Sequence, residues 1–396
     1  MRKTFLLLDI DGVLLKSNGY DLAFLDTVHE AFAKLGQDHI RLSIRVSELF
    51  QAENISAEWD MVQICAASLY EFCAERNGIA DIPENDSMKN FPRTGNTEEF
   101  IPYLAGKIRL CGKFWTRDIA DLYREREQIF PRSAQTEALK VFLLDTLTPK
   151  NEIFNRLITR LLGSENFRSF YGVEPMLETE SYLETKDEIL ISEKYREFLS
   201  KEHPEIRSSV MTYRPSRLPD EAGNKKSAYF VNTPEAECAM RFLGWTNGNV
   251  RCIGGGDLCY IEEKNHLKRE TYCKPHPFHA LSALLYAACG DRIAALETAQ
   301  RFIEKDENGD YSENPGEKIL PAREPFRAAV FEDSPTGIES LKRLAPLMRK
   351  FGYQVEPYLY GIYSMQEKAE QIRLLGAEVF PDVNAALDDL FCNEKC

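Results

Sequence analysis

The sequence predicts an α/β fold, a parallel sheet with helices on both faces, into which a long all-helical segment is inserted. Three observations predict it. From about residue 190 onward, short apolar runs with strand character alternate with helical stretches, the pattern of parallel sheets built from crossover units. A single run of the same kind, Phe5 to Leu8, stands alone near the start and stops at Asp9-Ile10-Asp11-Gly12. Between the two regions the apolar residues recur at helical spacing, and alternating strand patterns are scarce.

Phe5–Leu8 fits a short buried strand at the edge of an α/β sheet, ending at a carboxylate pair and a glycine. In the inserted stretch, Met61, Cys65, Leu69 and Phe72 share one helical face. Ile153, Phe154, Leu157, Ile158, Leu161 and Leu162 form another apolar stripe. Asn77 to Asn96 carries Pro and Gly and is expected to be a long loop. The α/β pattern resumes with a helix at Ser192–Lys201 and a strand at Ser208–Thr212. Ser216–Lys226 is polar and expected on the surface. Thr233-Pro234-Glu235 opens a helix, since Thr followed by Pro suits a first turn. Val250–Ile253 is a strand, and Gly254-Gly255-Gly256 after it is expected to be a flexible turn. A helix follows Lys274-Pro275-His276-Pro277. Ala328–Phe331 is a strand ending at Glu332-Asp333, and Ser334-Pro335 caps the next helix. Tyr358–Tyr363 and Glu378–Phe380 complete the strands, and polar residues 304–324 are expected to form a loop. The expected domains are residues 1–17 with 190–396, and residues 18–189.

Composition narrows the function. A chain of 396 residues exceeds one typical core. The net charge of −14 argues against binding nucleic acid or an anionic membrane as the main activity. No apolar run is long enough to span a bilayer, and the first is too short for a signal-peptide core. The ten cysteines include no CxxC pair. Reduced thiols and a cytoplasmic location are therefore expected.

Asp9 and Asp11 end a buried strand, where alternate residues point the same way. Two close carboxylates repel unless a cation or a shared proton relieves them. The pair therefore suits metal binding, a division into nucleophile and acid, or simply the end of a strand. Glu332-Asp333 is a second acidic strand end, which points to a shared Mg²⁺ site of hard oxygen ligands. Lys274 at a strand-to-helix junction can neutralise a phosphoryl group. Thr212 at a strand end can bind phosphate oxygens.

Asp9-Ile10-Asp11-Gly12-Val13, Val210-Met211-Thr212, Lys274-Pro275-His276-Pro277 and Phe331-Glu332-Asp333-Ser334 occur in this order. Together they resemble the haloacid dehalogenase-like hydrolase superfamily over residues 1–17 and about 190–390. The resemblance implies a Rossmann-like core with a helical cap inserted between the first two motifs. It also implies Mg²⁺-dependent hydrolysis of a small phosphorylated metabolite. Asp9 would be the nucleophile, Asp11 the acid and base, Thr212 and Lys274 the phosphoryl-binding groups. Asp9, the Asp11 backbone carbonyl, Asp333 and Glu332 would hold the metal, and cap closure would exclude water.

Lys16 stands where the family often has an acidic residue, and the inserted segment is large for a cap in that position. Thr233, in Tyr229-Phe230-Val231-Asn232-Thr233-Pro234, offers a rival second-motif hydroxyl. Thr212 is preferred because Thr-Tyr-Arg-Pro is close to the usual form and a helix precedes its strand. A phosphomutase of the same fold and a non-catalytic protein-binding scaffold are the alternative functions. A dehalogenase would need neither Asp11 nor Asp333. Asp306, Asn308, Asp310 and Glu317 match part of a calcium loop, but Tyr311 replaces its required glycine and Pro315 falls inside it. His276 and His279 lack a partner histidine at ligand spacing, so surface or capping roles are expected.

Overall fold

The structure is a computed structural model that describes residues 2–53, 55, 57–78, 91–114, 129–130, 148–220, 232–321 and 324–392. The chain divides into two compact units, Met1–Ser17 with Asp187–Cys396, and Asn18–Lys186.

The first unit is built on a six-stranded sheet. Its strands are β1 (Thr4–Leu8), β4 (Ile206–Met211), β5 (Val250–Ile253), β6 (Phe326–Glu332), β7 (Val355–Ile362) and β8 (Glu378–Phe380). They lie in the order β5-β4-β1-β6-β7-β8. Every neighbouring pair is parallel. β1 is central rather than at the edge, with Leu8 facing Val210 on one side and Phe331 on the other.

The apolar run of β1 divides by alternation between two cores. Phe5 and Leu7 pack with Phe278, Leu281, Ala299 and Leu344, from helices Pro277–Cys289, Arg292–Glu307 and Pro335–Lys350. Leu6 and Leu8 pack with Leu199, Ala239 and Leu387, from helices Glu193–Ser200, Glu235–Phe242 and Val383–Cys392. A strand covered on both faces needs an unbroken apolar run, which is why this one does not alternate with polar residues.

Two further short strands, β2 (Leu15–Lys16) and β3 (Glu188–Ile189), pair antiparallel at the points where the chain leaves and re-enters this unit. The return falls at Lys186/Asp187 rather than at 190, because β3 pairs back onto β2. Lys16 is exposed and lies 3.7 Å from Glu188.

In the second unit the described elements are the helices Asn18–Lys34, Arg45–Ala52, Glu58–Arg76, Thr97–Phe114, Glu152–Leu162, Ser164–Tyr171 and Tyr182–Thr185. The stripe on Glu152–Leu162 is buried throughout, and Asn151 caps that helix by accepting from the Ile153 and Phe154 N–H groups. Arg156 and Arg160 of this helix both pair with Glu30 of Asn18–Lys34. Of the loop expected at Asn77–Asn96, residues 79–90 lie outside the described residues.

Three local expectations need correction. Helix Arg292–Glu307 runs into the segment expected to be loop, because Phe302 and Ile303 stay buried and Asp291 caps its start. Ser216 is buried rather than superficial, and its hydroxyl accepts from the Gly256 N–H; residues 221–226 of that segment lie outside the described ones. Gly254-Gly255-Gly256 is not a flexible turn but the start of helix Gly255–Lys264. These glycines are required by close approach: a Cβ on Gly254 would lie 2.7 Å from the Ser216 side chain.

The calcium-loop residues are engaged otherwise. Asp306 pairs with Lys350 and Asp310 with Lys305. The cysteines of the described residues are free thiols. Among the described residues no helix is long and apolar enough to cross a membrane.

Candidate active site

The C-terminal ends of β4, β1 and β6 lie side by side, where open α/β sheets bind ligands. Asp9 follows β1 directly, and its N–H donates to the Phe331 carbonyl of β6 at 3.0 Å. Its side chain is almost fully buried. Burial, then the neighbouring Glu332 carboxylate, pushes its carboxyl well above the usual range, with Lys274 opposing them.

Lys274 arrives from the loop before helix Pro277–Cys289. Its ammonium donates to Asp9 Oδ1 at 2.8 Å and to Glu332 Oε1. Burial works against that charge, but the two carboxylates raise the ammonium above its ordinary value. Glu332 ends β6 and is fully buried. Its Oε2 accepts from the Ser334 N–H and hydroxyl. Both oxygens are thus engaged, one of them in anchoring Lys274. Ser334 also caps helix Pro335–Lys350 through the Gly337 N–H.

Asp333 is more open, and its Oδ2 lies 3.1 Å from Lys368 Nζ. Asp9, Glu332 and Asp333 each present a carboxylate oxygen, all within 4.8 Å of one another. Among the described residues this is the group of three carboxylate, thiol or imidazole ligands close enough to share an ion.

Asp11 departs from the expected geometry. β1 ends at Leu8, so the alternation that would align Asp9 with Asp11 does not continue. The chain turns instead at Gly12, with φ of +76°. A side chain is excluded there, because a Cβ would lie 2.7 Å from Asp333 Oδ2. The Asp11 carboxylate points to Arg214 and Ser17 rather than into the carboxylate cluster. Burial alone would raise its pKa, but the Arg214 guanidinium and the Ser17 hydroxyl hold it below the usual range.

Thr212 follows β4 and is fully buried. Its N–H donates to the Ile253 carbonyl at 3.1 Å, and its hydroxyl oxygen accepts from the Arg214 N–H at 3.1 Å. Among the described residues no acceptor takes that hydroxyl's own proton. Thr233 instead donates to Glu235 at 2.7 Å, at the start of helix Glu235–Phe242, off the strand ends. Tyr229–Val231 lie outside the described residues.

His276 caps helix Pro277–Cys289 through Nδ1. His279 is buried, its Nε2 lies 3.3 Å from the Ile253 carbonyl, and burial lowers its pKa to about 3. Neither approaches the carboxylates as a ligand. Arg214, Ser17, Asp187 and Lys368 had no individual role in the reading of the sequence. Only Arg214 carried a signal, its place two residues after Thr212.

No protein-family model matches the chain, and no curated protein matches it. An X-ray structure from the Northeast Structural Genomics Consortium is similar in fold. It has a TM-score of 0.59 and 16% identity, over 98% of this chain and 99% of that one. A second solved structure, phosphatase Tt82 from Thermococcus thioreducens, aligns with a TM-score of 0.42 and 12% identity, over 94% and 100% of the two chains. The first likeness speaks to the fold, a parallel sheet with helices on both faces.

Proposed function

We propose that this chain is a Mg²⁺-dependent phosphatase of the haloacid dehalogenase-like type, hydrolysing a small phosphorylated metabolite through an aspartyl-phosphate on Asp9. The observation that carries the reading is the meeting of Asp9, Lys274 and Asp333 at the ends of adjacent parallel strands. A nucleophile, a fixed cation and a cluster of hard oxygen donors are what phosphoryl transfer needs there.

The donor set fits Mg²⁺. Carboxylate oxygens of Asp9 and Asp333 are hard ligands at mutual distances one ion can bridge, and Glu332 supports them from behind. Lys274 pairs with Asp9 and Glu332, and Lys368 with Asp333, so the three carboxylates meet two ammonium groups, and a divalent cation would offset the charge that remains. Bound there, Mg²⁺ would screen the anionic phosphate from the anionic nucleophile.

The chain's own residues carry the steps. Asp9 attacks phosphorus, the bond to the leaving oxygen breaks, and that oxygen takes its electron pair and a proton from Asp11. Water then attacks the phosphorus of the aspartyl-phosphate and gives its proton to Asp11, and the bond to Asp9 breaks. Lys274 holds Asp9 in place and neutralises phosphoryl charge, and Thr212 donates its hydroxyl to a phosphoryl oxygen.

The test is a screen of phosphorylated metabolites with and without Mg²⁺, repeated with Asp9→Asn. Phosphate release is expected to require Mg²⁺ and to vanish in the variant. Hydrolysis that survives the substitution would sink the covalent mechanism. An isomerised product in place of phosphate would indicate a mutase.

A further inference from the structure

Arg214 is bonded to more than its neighbour in the second motif. It is 3% exposed. Nε lies 3.1 Å from each oxygen of Asp11, and Nη2 donates to Asp11 Oδ1 at 2.6 Å. The same Nη2 reaches Ser17 Oγ at 3.0 Å and Asp187 Oδ2 at 3.2 Å. Ser17 donates in turn to Asp11 Oδ1. The Arg214 backbone is pinned as well: its N–H donates to Thr212 Oγ1, and its carbonyl accepts from the Gly255 N–H at 2.8 Å.

These partners share a topological place. Ser17 and Asp187 are the residues at which the chain leaves and re-enters the α/β unit, and the β2–β3 pairing beside them draws the two crossings together. The Asp187 side chain is fully buried, so it fixes the guanidinium rather than solvating it. Asp11 is the opposite case. It sits past the end of its strand, and its side chain is 42% exposed. Its bonds hold it, and unequally. Oδ1 takes the short bonds from Arg214 and Ser17. Oδ2 keeps one longer contact, from Nε.

We propose that Arg214 is a positioning residue for Asp11, anchored by Ser17 and Asp187, that holds the Asp11 carboxylate in one fixed orientation just past the end of β1. This rests on the phosphatase reading above. A planar guanidinium can grip two acceptors in one fixed orientation, whereas a lysine ammonium in its place would supply charge without that geometry.

The test compares kcat/KM for p-nitrophenyl phosphate and phenyl phosphate in Mg²⁺, for the wild type, Asp11→Asn, Arg214→Lys and Ser17→Ala. The ratio kcat/KM reports only steps through departure of the leaving group, so hydrolysis of the phosphoenzyme drops out. Nitrophenolate departs without a proton far more readily than phenolate. A misplaced acid therefore penalises phenyl phosphate more. Arg214→Lys is expected to lose at least about tenfold more on phenyl phosphate than on p-nitrophenyl phosphate, a fraction of what proton donation contributes. Asp11→Asn should show the same bias, larger, and Ser17→Ala the same bias, smaller.

Equal losses on the two substrates, in a variant with wild-type circular dichroism, would overturn the inference and mark Arg214 as structural. Should Arg214→Lys fail to fold, Ser17→Ala decides in its place, and absence of bias there overturns the inference equally. A wild type that releases phosphate from neither substrate, nor from any phosphorylated metabolite in the screen above, would overturn the phosphatase reading itself, an outcome distinct from equal losses.

Discussion

Lys274 Nζ lies 2.8 Å from Asp9 Oδ1 while also holding the fully buried Glu332. One ammonium thus serves a proposed nucleophile and a structural carboxylate, and a single substitution separates the two services.

Lys274→Met is expected to lower kcat by at least about 10²-fold. It should also destabilise the fold by about 3–5 kcal/mol, because the fully buried Glu332 carboxylate loses its ion-pair partner. Adding Glu332→Gln should restore much of that stability and none of the activity. Urea denaturation beside turnover checks both, and activity returning with stability would refute the assignment.

Mg²⁺ binding should be visible without turnover. At a hundredfold its dissociation constant, a ligand specific for the native state stabilises it by about 2.7 kcal/mol. A rise in Tm with Mg²⁺ is therefore expected for the wild type and not for Asp333→Asn. A Tm indifferent to Mg²⁺ in both proteins would count against the site.

Gly12→Ala should disturb the same cluster from the opposite side. The backbone there has φ of +76°, and the new methyl would meet Asp333 Oδ2 at 2.7 Å. A loss of about 1–3 kcal/mol is expected from the backbone alone, together with weaker Mg²⁺ stabilisation. An unchanged Mg²⁺ response measured by thermal shift would contradict it.

Asp257 supplies a pH dependence away from the active site. It is buried, and its carboxylate accepts from the Gly254 N–H at 2.9 Å. Burial pushes its pKa up to about 6 although Arg292 opposes this, and Glu237 adds to the rise. The folded state therefore holds this proton after the unfolded chain has released it. This contribution to stability falls as pH rises from about 4 to about 6, and above that range the charged group is a net cost of about 3 kcal/mol. Asp257→Asn keeps an acceptor for Gly254 and should be more stable than wild type at pH 7.5, with the advantage shrinking toward pH 4. An advantage that does not change with pH would refute the shift.

The strand ends were readable in the sequence because β1 and β6 are covered on both faces and so appear as apolar runs that stop at carboxylates. Other relationships have no local signature. Lys274 reaches Asp9 across 265 positions. Asp187 meets Arg214 only because the chain re-enters beside the point where it left. The triple glycine looked like a loose turn because its cause, the Ser216 segment packed against it, lies far away in sequence. Asp11 was expected to align with Asp9 on the assumption that the strand continues through both, and it ends at Leu8.

The β2–β3 pair has one further consequence. Leu15 faces Ile189 and Lys16 faces Glu188, so the chain on either side of Asn18–Lys186 is already closed as the stem of a hairpin. To the sheet, that entire helical unit occupies the place of a hairpin loop. Loop length adds only logarithmically to the entropy of closure, so a stem of this kind admits an insert of nearly any size. The architecture can accordingly exchange one insert for another while the strand ends that carry Asp9, Thr212 and Asp333 keep their register.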